Sequence, residues 1–431
     1  MGQGEGRKCA EWRRIHPNPN PLLTREGVFL TFCESVKKCV ALTLNFSKEI
    51  KMDFELTEEQ RMLKDMAYKF AQAEFPDVSH ECDEHEKYTP EIRKKAAENG
   101  LVGAWVPEEY GGAGVGILGN AMVTEELSRV DAGIGLNIVA ATFGSEAIND
   151  YGTEEQKKEY LTPVCRGEQV SAGAFTEPNA GTDVAGYQTR AVKDGSDYVI
   201  NGNKMFITNG TVCDFMVVQA ITNPENKKHA SFSMIVVPAD AKGVTRTKIH
   251  GKLGIRASDT AEIALEDVRV SQENLVGKEG RGFYQLMHFF DTTRVMVAGQ
   301  AVGISQGCLD TVIKYAKERT AFGAPIGSFQ LTQAKLTEMA VRIEALRNMV
   351  YKAGWLIDEG RPDYHLAAMA KYYGGQTAVY CANAAVEIHG GYGYIDEYDV
   401  QKWYRDAKIL ELYEGTKEAE IMTIGRVLMS R

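Results

Sequence analysis

Several signals of common functional classes are missing from this 431-residue sequence. No P-loop is present and no GxGxxG follows a candidate strand, which argues against a nicotinamide Rossmann domain. The eight histidines are dispersed without an i, i+4 pair, and the eight cysteines form no CxxC, so we predict no metal site. The cysteines are instead expected to be reduced, mostly buried thiols in a reducing compartment.

Basic charge and long apolar runs are also scarce. The net charge is −10, which argues against a nucleic-acid partner because such a partner needs a basic face. No apolar run approaches the roughly 18 residues of a membrane-spanning helix, so no membrane partner is expected. The remaining composition, 44% hydrophobic and 25% charged, is typical of a globular protein with a large core and two or three lobes.

The first 51 residues differ in charge from the rest of the chain. They carry nine Lys/Arg and five Asp/Glu, whereas the other 380 residues carry 40 and 54. The acids argue against a transit peptide, and no small-residue cleavage site follows the short apolar run at 27–33. We hypothesise that 1–51 is an atypical leader, translated from an upstream region by an error in gene prediction, with Met52 as the true start. Intact-mass measurement of natively produced protein tests this, and a mass that includes 1–51 would contradict it.

From residue 52 onward, the periodicity predicts three successive domains. Residues 52–166 are expected to be α-helical, beginning at the capping box Thr57-Glu58-Glu59-Gln60 and including helices at 90–99, 118–129 and 133–151. Residues 167–280 contain short segments that are rich in β-branched residues and partly alternate between apolar and polar. This pattern predicts a small β-barrel or sandwich, with a two-residue hairpin at Asn201-Gly202. Residues 281–431 return to a helical period, with long helices at 283–320, 331–359, 364–388 and 412–429.

The strongest candidate for a catalytic side chain is Glu414, in the sequence Tyr413-Glu414-Gly415-Thr416. Glycine lets the backbone approach a flat ligand closely, and a carboxylate against an apolar wall has a raised pKa and can act as a base near neutral pH. On this evidence alone, a helix end is the more common interpretation of a Glu-Gly pair.

Other clusters have similarly open alternatives. The segment 174–183 could contact a phosphate or flavin edge, or be a surface turn. Phe206 and Thr208 could form a stacking platform with a hydroxyl, or belong to the core. Asp291 and Arg294, at i, i+3, could bind a ligand or form a structural ion pair. The segment around Arg319 could hold a pyrophosphate or cap a helix, and His389 is expected to be a packed or hydrogen-bonded residue.

The order of these motifs from residue 52 to 431 resembles the acyl-CoA dehydrogenase family, in particular its short-chain, branched-chain or alicyclic types. The resemblance implies an α+β multidomain fold with an N-terminal helical lobe, a central β-barrel and a C-terminal four-helix bundle, assembled as a homotetramer. It implies FAD as cofactor and an acyl-CoA substrate that loses an α-proton to Glu414 and a β-hydride to the flavin. Electron-transfer flavoprotein would be the electron acceptor. The implied location is the cytoplasm of a bacterium or the mitochondrial matrix of a eukaryote.

The resemblance also implies roles for individual residues. The thioester oxygen would be held by the Glu414 backbone N–H and a flavin hydroxyl. The substrate-binding positions would be Thr182, Asp291, Arg294 and Gly415. The FAD-binding positions would be Phe175, Thr176, Thr182, Phe206, Thr208, Arg319, Phe322, Gln330, Glu387, Gly390, Gly391, Thr416 and Glu418, of which those from Arg319 to Gly391 would complete the site of a neighbouring subunit.

Three departures from the family pattern occur, with Thr182, Phe206 and Glu387 in place of the common Ser, Trp and Gln. Some relatives carry the base just before the arginine of the long helix, but that residue is Thr293 here.

No Lys or Arg lies between Arg129 and Lys157, where the acyl pocket is expected, so we predict an apolar acyl tail. Asp131 is expected to cap a helix. One alternative is an acyl-CoA oxidase, although oxidases of this fold usually carry a large C-terminal extension that this sequence does not show. The other is a non-catalytic flavin-binding member of the same fold.

Overall fold

The computed structural model describes residues 55–430. The interpretation of 1–51 as an atypical leader therefore lies outside the described residues. No helix within 55–430 is long and apolar enough to cross a membrane. Within the same range, no group of three or more His, Cys, Asp or Glu side chains is arranged to hold a metal ion. The five cysteines that belong to the described part are free and buried.

The N-terminal lobe is helical, as predicted, and its first helix begins at the predicted capping box. The Thr57 side chain accepts a hydrogen bond from the Gln60 N–H, and the Gln60 side chain accepts one from the Thr57 N–H. The helices are α1 Glu58–Glu74, α2 Pro76–His85, α3 Pro90–Glu98, α4 Gly116–Ser128, α5 Ala132–Val139, α6 Ser145–Tyr151 and α7, which joins Glu154–Gln156, Lys157–Leu161 and Thr162–Cys165.

The single helix predicted for 133–151 is wrong, because the chain breaks between α5 and α6. A 3₁₀ turn spans Ala140–Thr142, Phe143 is extended, and Gly144 has a φ of 95°. A left-handed φ is readily adopted only by glycine, so Gly144 permits the turn that separates the two helices. Asp131 caps α5 as predicted, since its side chain accepts from the N–H groups of Gly133 and Ile134.

The middle domain is one mixed β-sheet. Its strands are β1 Ser171–Ala174, β2 Arg190–Asp194, β3 Asp197–Thr208, β4 Phe215–Ile221, β5 Phe232–Pro238, β6 Val244–Lys248, β7 Thr260–Ser271 and β8 Leu275–Val276. Their order is β6-β7-β3-β2-β4-β5-β8, with β1 parallel to β4. Two short strands outside this sheet, β9 Thr320–Ala321 and β10 Ala324–Pro325, pair with each other.

The predicted hairpin at Asn201-Gly202 is wrong. Both residues lie inside β3, and the two-residue turn is instead Gly195-Ser196, between β2 and β3. Gly195 has a φ of 64°, which suits the turn geometry that matches strand twist. Gly202 is opposite Leu265 next to an irregularity in the β3–β7 register, so its glycine marks a bulge and not a turn.

The C-terminal domain consists of long helices, as predicted. They are α8 Gly282–Glu318, α9 Gln330–Asp358, α10 Tyr364–His389, α11 Val400–Ala407 and α12 Lys417–Met429. The predicted start of the last helix at 412 is wrong, because a 3₁₀ turn at Lys408–Glu411 is followed by an irregular turn. The helix begins after Thr416, whose side chain accepts from the Ala419 N–H.

The three domains share continuous cores. One cluster of buried side chains joins the N-terminal helices to the sheet and to the start of α8, and another joins the rest of α8 to α9 and α10. A third fills the sheet itself. The predicted order of a helical lobe, a middle β domain and a C-terminal helical domain is therefore confirmed, and α8 connects all three.

Candidate active site

The turn before α12 places Glu414 in an unusual backbone conformation. Glu414 has a φ of 52° and Gly415 has a φ of 101°. A left-handed conformation costs a non-glycine residue about 1–3 kcal/mol, so surrounding contacts must hold it in place. The turn directs the Glu414 side chain towards α8, where Oε2 accepts a hydrogen bond of 2.6 Å from the Thr293 hydroxyl.

The environment of Glu414 controls its protonation. Burial raises the pKa of the carboxyl above its ordinary value, because the charged form loses solvation. The Thr293 hydrogen bond and the positive charges of Lys371 and Arg294 lower the pKa, whereas the negative charge of Glu420 raises it. The net result is a pKa that is raised, which suits a general base working near neutral pH.

Arg294 and Asp291 form the ion pair that their i, i+3 spacing indicated. The two side chains are 2.7 Å apart at their closest atoms, and Arg294 Nε also donates to Glu420 Oε1 at 3.0 Å. Glu420 is fully buried. In the described residues, Arg294 therefore faces the Glu414–Gly415 turn, with its charge already paired.

A cavity opens beside Glu414. Its apolar walls come from Leu136, Val139, Ala140, Phe143, Met296 and Val297. Polar atoms are contributed by Thr124, Glu146, Thr208, Thr293, Gln300, Tyr413 and Glu414. The stretch 133–147, in which we expect the acyl pocket, supplies five of these residues, and no Lys or Arg lines the cavity.

Sequence reasoning missed Glu146, a second carboxyl in the same cavity. Its side chain is 4% exposed and accepts a hydrogen bond of 2.8 Å from the Gly144 N–H. Burial raises its pKa to about 8, with a smaller contribution from the charge of Glu414. A lone acid in the apolar segment 133–149 was the available signal, but only the turn at Gly144 directs it inwards.

Sequence reasoning also missed the buried Lys371 of α10. Its side chain is 1% exposed, and Nζ donates to the Gly415 carbonyl. The lysine lies in an alanine-rich helical segment that reads as bundle core, so nothing in the sequence separated it from an exposed lysine.

The residues predicted to contact a flavin lie at the ends of β1 and β3. Phe175 is buried against Phe143 and Phe289, and Thr208 lines the cavity. Phe206 has a φ of 60° and leaves 66% of its side chain exposed, because β3 is irregular between 204 and 207. The Thr176 carbonyl accepts from the Met205 N–H, which joins the loop after β1 to β3. Thr182, in that same loop, is exposed.

A second set of predicted residues lies at the far end of the C-terminal bundle. It comprises Arg319, Phe322, Gln330, Glu387, Gly390 and Gly391, which are all exposed. Phe322 is 99% exposed, and Arg319 lies over the ring of Tyr392. From Thr293 to Arg319 the chain rises roughly 39 Å along the helix axis, at about 1.5 Å per residue. One bound molecule therefore does not reach both this set and Glu414 within the same chain.

The remaining predicted positions have structural partners. Thr416 caps α12 and Glu418 is exposed in its first turn. Glu387 pairs with Lys335 and accepts from Asn383 at 2.9 Å. His389 is a packed residue as predicted, since it is buried, bonds the Ala385 carbonyl through Nδ1 and stacks on Tyr315.

Comparison with known proteins identifies the family. Residues 57–168, 172–268 and 280–429 match the N-terminal, middle and C-terminal domains of acyl-CoA dehydrogenase, respectively. The probable acyl-CoA dehydrogenase YngJ of Bacillus subtilis is 42% identical over 379 residues, which cover 88% of this chain and 100% of the relative.

Two solved structures are also similar. Butyryl-CoA dehydrogenase of Megasphaera elsdenii gives a TM-score of 0.85 at 38% identity, covering 88% of this chain and 100% of the other. A chain in the structure of the electron transferring flavoprotein of Acidaminococcus fermentans gives 0.86 at 41%, with the same coverage. The chain belongs to the acyl-CoA dehydrogenase family, whose members are FAD-dependent oxidoreductases.

Proposed function

We propose that this protein dehydrogenates a short, apolar acyl-CoA to the 2-enoyl-CoA, with Glu414 as the base that removes the α-proton. The observation that carries the proposal is the position of Glu414. Its carboxylate lies in a largely apolar cavity, bonded to Thr293, with a raised pKa. A raised pKa makes the carboxylate a stronger base, which favours proton abstraction from carbon.

The residues at the ends of β1 and β3 fit a bound flavin. Thr208 opens on the same cavity as Glu414, and Phe206 presents a flat apolar side chain that is 66% exposed. Phe175, Thr176 and Thr182 would hold the cofactor with them. FAD, when bound, supplies the acceptor for the hydride of the β-carbon.

The acidity of the α-proton is raised by polarising the thioester carbonyl. We assign one donor to the backbone N–H of Glu414, in the turn that Thr293 and Lys371 hold. A donor of this kind contributes roughly 3–4 kcal/mol to transition-state stabilisation in other enzymes. Arg294 of α8 lies beside Gly415 and pairs with Asp291, and these three residues would contact the substrate.

The cavity lining supports a substrate with an apolar tail. The described lining residues include no Lys or Arg that could bind a second carboxylate. The similarity to butyryl-CoA dehydrogenase supports a short chain. Branched and alicyclic acyl groups, such as cyclohexane-carbonyl, fit the same apolar walls, and pocket length decides among them.

We further propose that the protein is a homotetramer that passes electrons to electron-transfer flavoprotein. The exposed set at the bundle end supports the assembly, because Phe322 and Leu331 are 99% and 84% exposed and would be covered by a partner chain. In that assembly, the set from Arg319 to Gly391 would complete the FAD site of the neighbour, and Thr416 and Glu418 would lie near the adenosine phosphates. The similarity to a chain of the Acidaminococcus structure supports the acceptor.

The experiment is anaerobic reduction of the purified holoenzyme by a panel of acyl-CoAs, followed through the flavin absorbance. Glu414→Gln should retain FAD and lose flavin bleaching by acyl-CoA. Glu411→Gln is the control and should bleach normally, because Glu411 pairs with Lys408 and does not line the cavity. Retained turnover in Glu414→Gln would refute the assignment of the base. Rapid reoxidation by air would favour an oxidase, and absence of bleaching by every acyl-CoA would favour a non-catalytic flavoprotein.

A further inference from the structure

The strained turn at Glu414 needs a support that the proposed mechanism does not yet include. Glu414 and Gly415 both have left-handed φ values, and the Thr293 hydrogen bond holds only the Glu414 side chain. A backbone conformation of this kind persists only where neighbouring groups determine it. Lys371 bonds the backbone of this turn, through the Gly415 carbonyl.

Lys371 projects from the middle of α10 into the protein interior. Its side chain is 1% exposed, and its Nζ donates to the Gly415 carbonyl. Burial lowers the pKa of the ammonium to about 8, against the opposing charges of Glu420 and Glu414. Burying a cation has a large desolvation penalty, so a buried ammonium at this point indicates a specific structural or functional role.

Glu420 lies on the other side of the turn with the opposite charge. It is fully buried, it is bonded by Arg294, and its Oε2 has no hydrogen-bond partner within the described structure. A side chain on Gly415 would meet Glu420 Oε1 at 2.2 Å, so the turn lies directly against this carboxylate. Lys371 and Glu420 therefore act on Glu414 with opposite signs.

Other charged and titratable groups also face Glu414, from each element packed on it. They are Arg294 of α8, Glu146 of α6, Tyr187 before β2 and Tyr413 on its own segment. Asp291 acts on Glu420, and Glu411 acts on Lys371. Among the described residues that lower the pKa of Glu414, only Lys371 also bonds the backbone of the turn.

On the basis of the proposed function, we propose that Lys371 is a positioning residue for the base. Its ammonium holds the Gly415 carbonyl, fixes the left-handed turn and, balanced by Glu420, favours the ionised form of Glu414 in its cavity. Without the lysine, Glu414 would retain its proton to higher pH, and less of the free enzyme would carry an ionised base at a given pH.

The test compares Lys371→Met with Glu420→Gln, two substitutions of nearly unchanged size that remove opposite charges. The pH dependence of flavin bleaching by acyl-CoA should shift its acid limb to higher pH in Lys371→Met, by about one unit or more, because an opposite charge nearby has that effect. Glu420→Gln should shift it to lower pH. Lys252→Met is the matched control. Burial also lowers the pKa of Lys252 to about 8, but this lysine bonds a backbone carbonyl in the β6–β7 loop, far from Glu414 along the chain.

A second readout does not depend on activity. Because burial raises the folded pKa of Glu414, its contribution to stability is present below its unfolded pKa and is lost as pH rises through the folded pKa. The difference in Tm between each protein and its Glu414→Gln derivative therefore changes above the unfolded pKa and levels off at the pH where the folded Glu414 ionises. This pH should rise in the Lys371→Met background and fall in the Glu420→Gln background.

The outcomes separate the two proposals. Opposite shifts in both readouts support the role of Lys371, and an unchanged acid limb in folded, FAD-bearing Lys371→Met overturns it. If Lys371→Met does not fold, an unchanged limb in Glu420→Gln overturns the electrostatic balance. If no acyl-CoA bleaches the wild-type protein, the proposed function fails, while the Tm measurement still decides the role of the lysine.

Discussion

Thr293 offers the sharpest test of how the structure sets the chemistry of Glu414. Its hydroxyl donates to Glu414 Oε2 at 2.6 Å, and the threonine is 3% exposed. Thr293→Val replaces this hydroxyl by a methyl group of similar size, so the packing of α8 should be retained. The carboxylate loses a hydrogen bond that favours its charged form.

The magnitude follows from the type of bond. A hydrogen bond to a charged group contributes about 1.5–3 kcal/mol, and about 1.4 kcal/mol corresponds to one pKa unit. The pKa of Glu414, already raised by burial, should therefore rise by a further one to two units, roughly, in Thr293→Val. The base is then protonated up to a higher pH, and on the acid limb the rate falls in proportion to the fraction of Glu414 that remains ionised.

The assay is the pH dependence of anaerobic flavin bleaching in a stopped-flow instrument. Thr293→Val should move the acid limb upwards and recover much of the wild-type rate at high pH. Thr293→Ser, which keeps the hydroxyl, should leave the limb close to that of the wild type. An unmoved limb in Thr293→Val, with FAD bound, would show that this hydrogen bond does not control the base.

Three further predictions follow from other contacts. Glu146→Gln should show a smaller fall in Tm than the wild type as pH rises from 4.5 to about 8, because over that range the unfolded chain releases the Glu146 proton while the folded protein keeps it; parallel Tm curves would contradict this. Gly415→Ala should lower stability by about 1–3 kcal/mol in urea unfolding, since φ is 101° and its Cβ would meet Glu420 at 2.2 Å; unchanged stability would show that the turn can relax. Phe322→Asp should reduce the assembled mass in light scattering, whereas Leu253→Asp, also exposed but on the β6–β7 loop, should not; an intact tetramer in both would exclude the bundle end as an interface.

The repeating hydrophobic patterns that extend over long segments of the sequence predicted the architecture well. The capping box at Thr57 and the helical stripes after residue 282 fixed element type, because burial repeats every three to four residues in a helix. Predictions failed where a single backbone angle decided the outcome. The break at Gly144 and the true hairpin at Gly195 depend on left-handed φ values, and several other glycines could have adopted them equally well.

The sequence by itself determined the candidate base, because a Glu-Gly pair after an apolar segment is local information and the surrounding motifs have a recognisable order. Only the tertiary structure decided which groups act on that base. Thr293 and Lys371 are 121 and 43 residues away from Glu414 along the chain, and Glu146 is on a separate helix, yet packing brings the influence of all three to one carboxyl. Burial and electrostatics depend on distance in space, so no pattern along the chain could assign these partners.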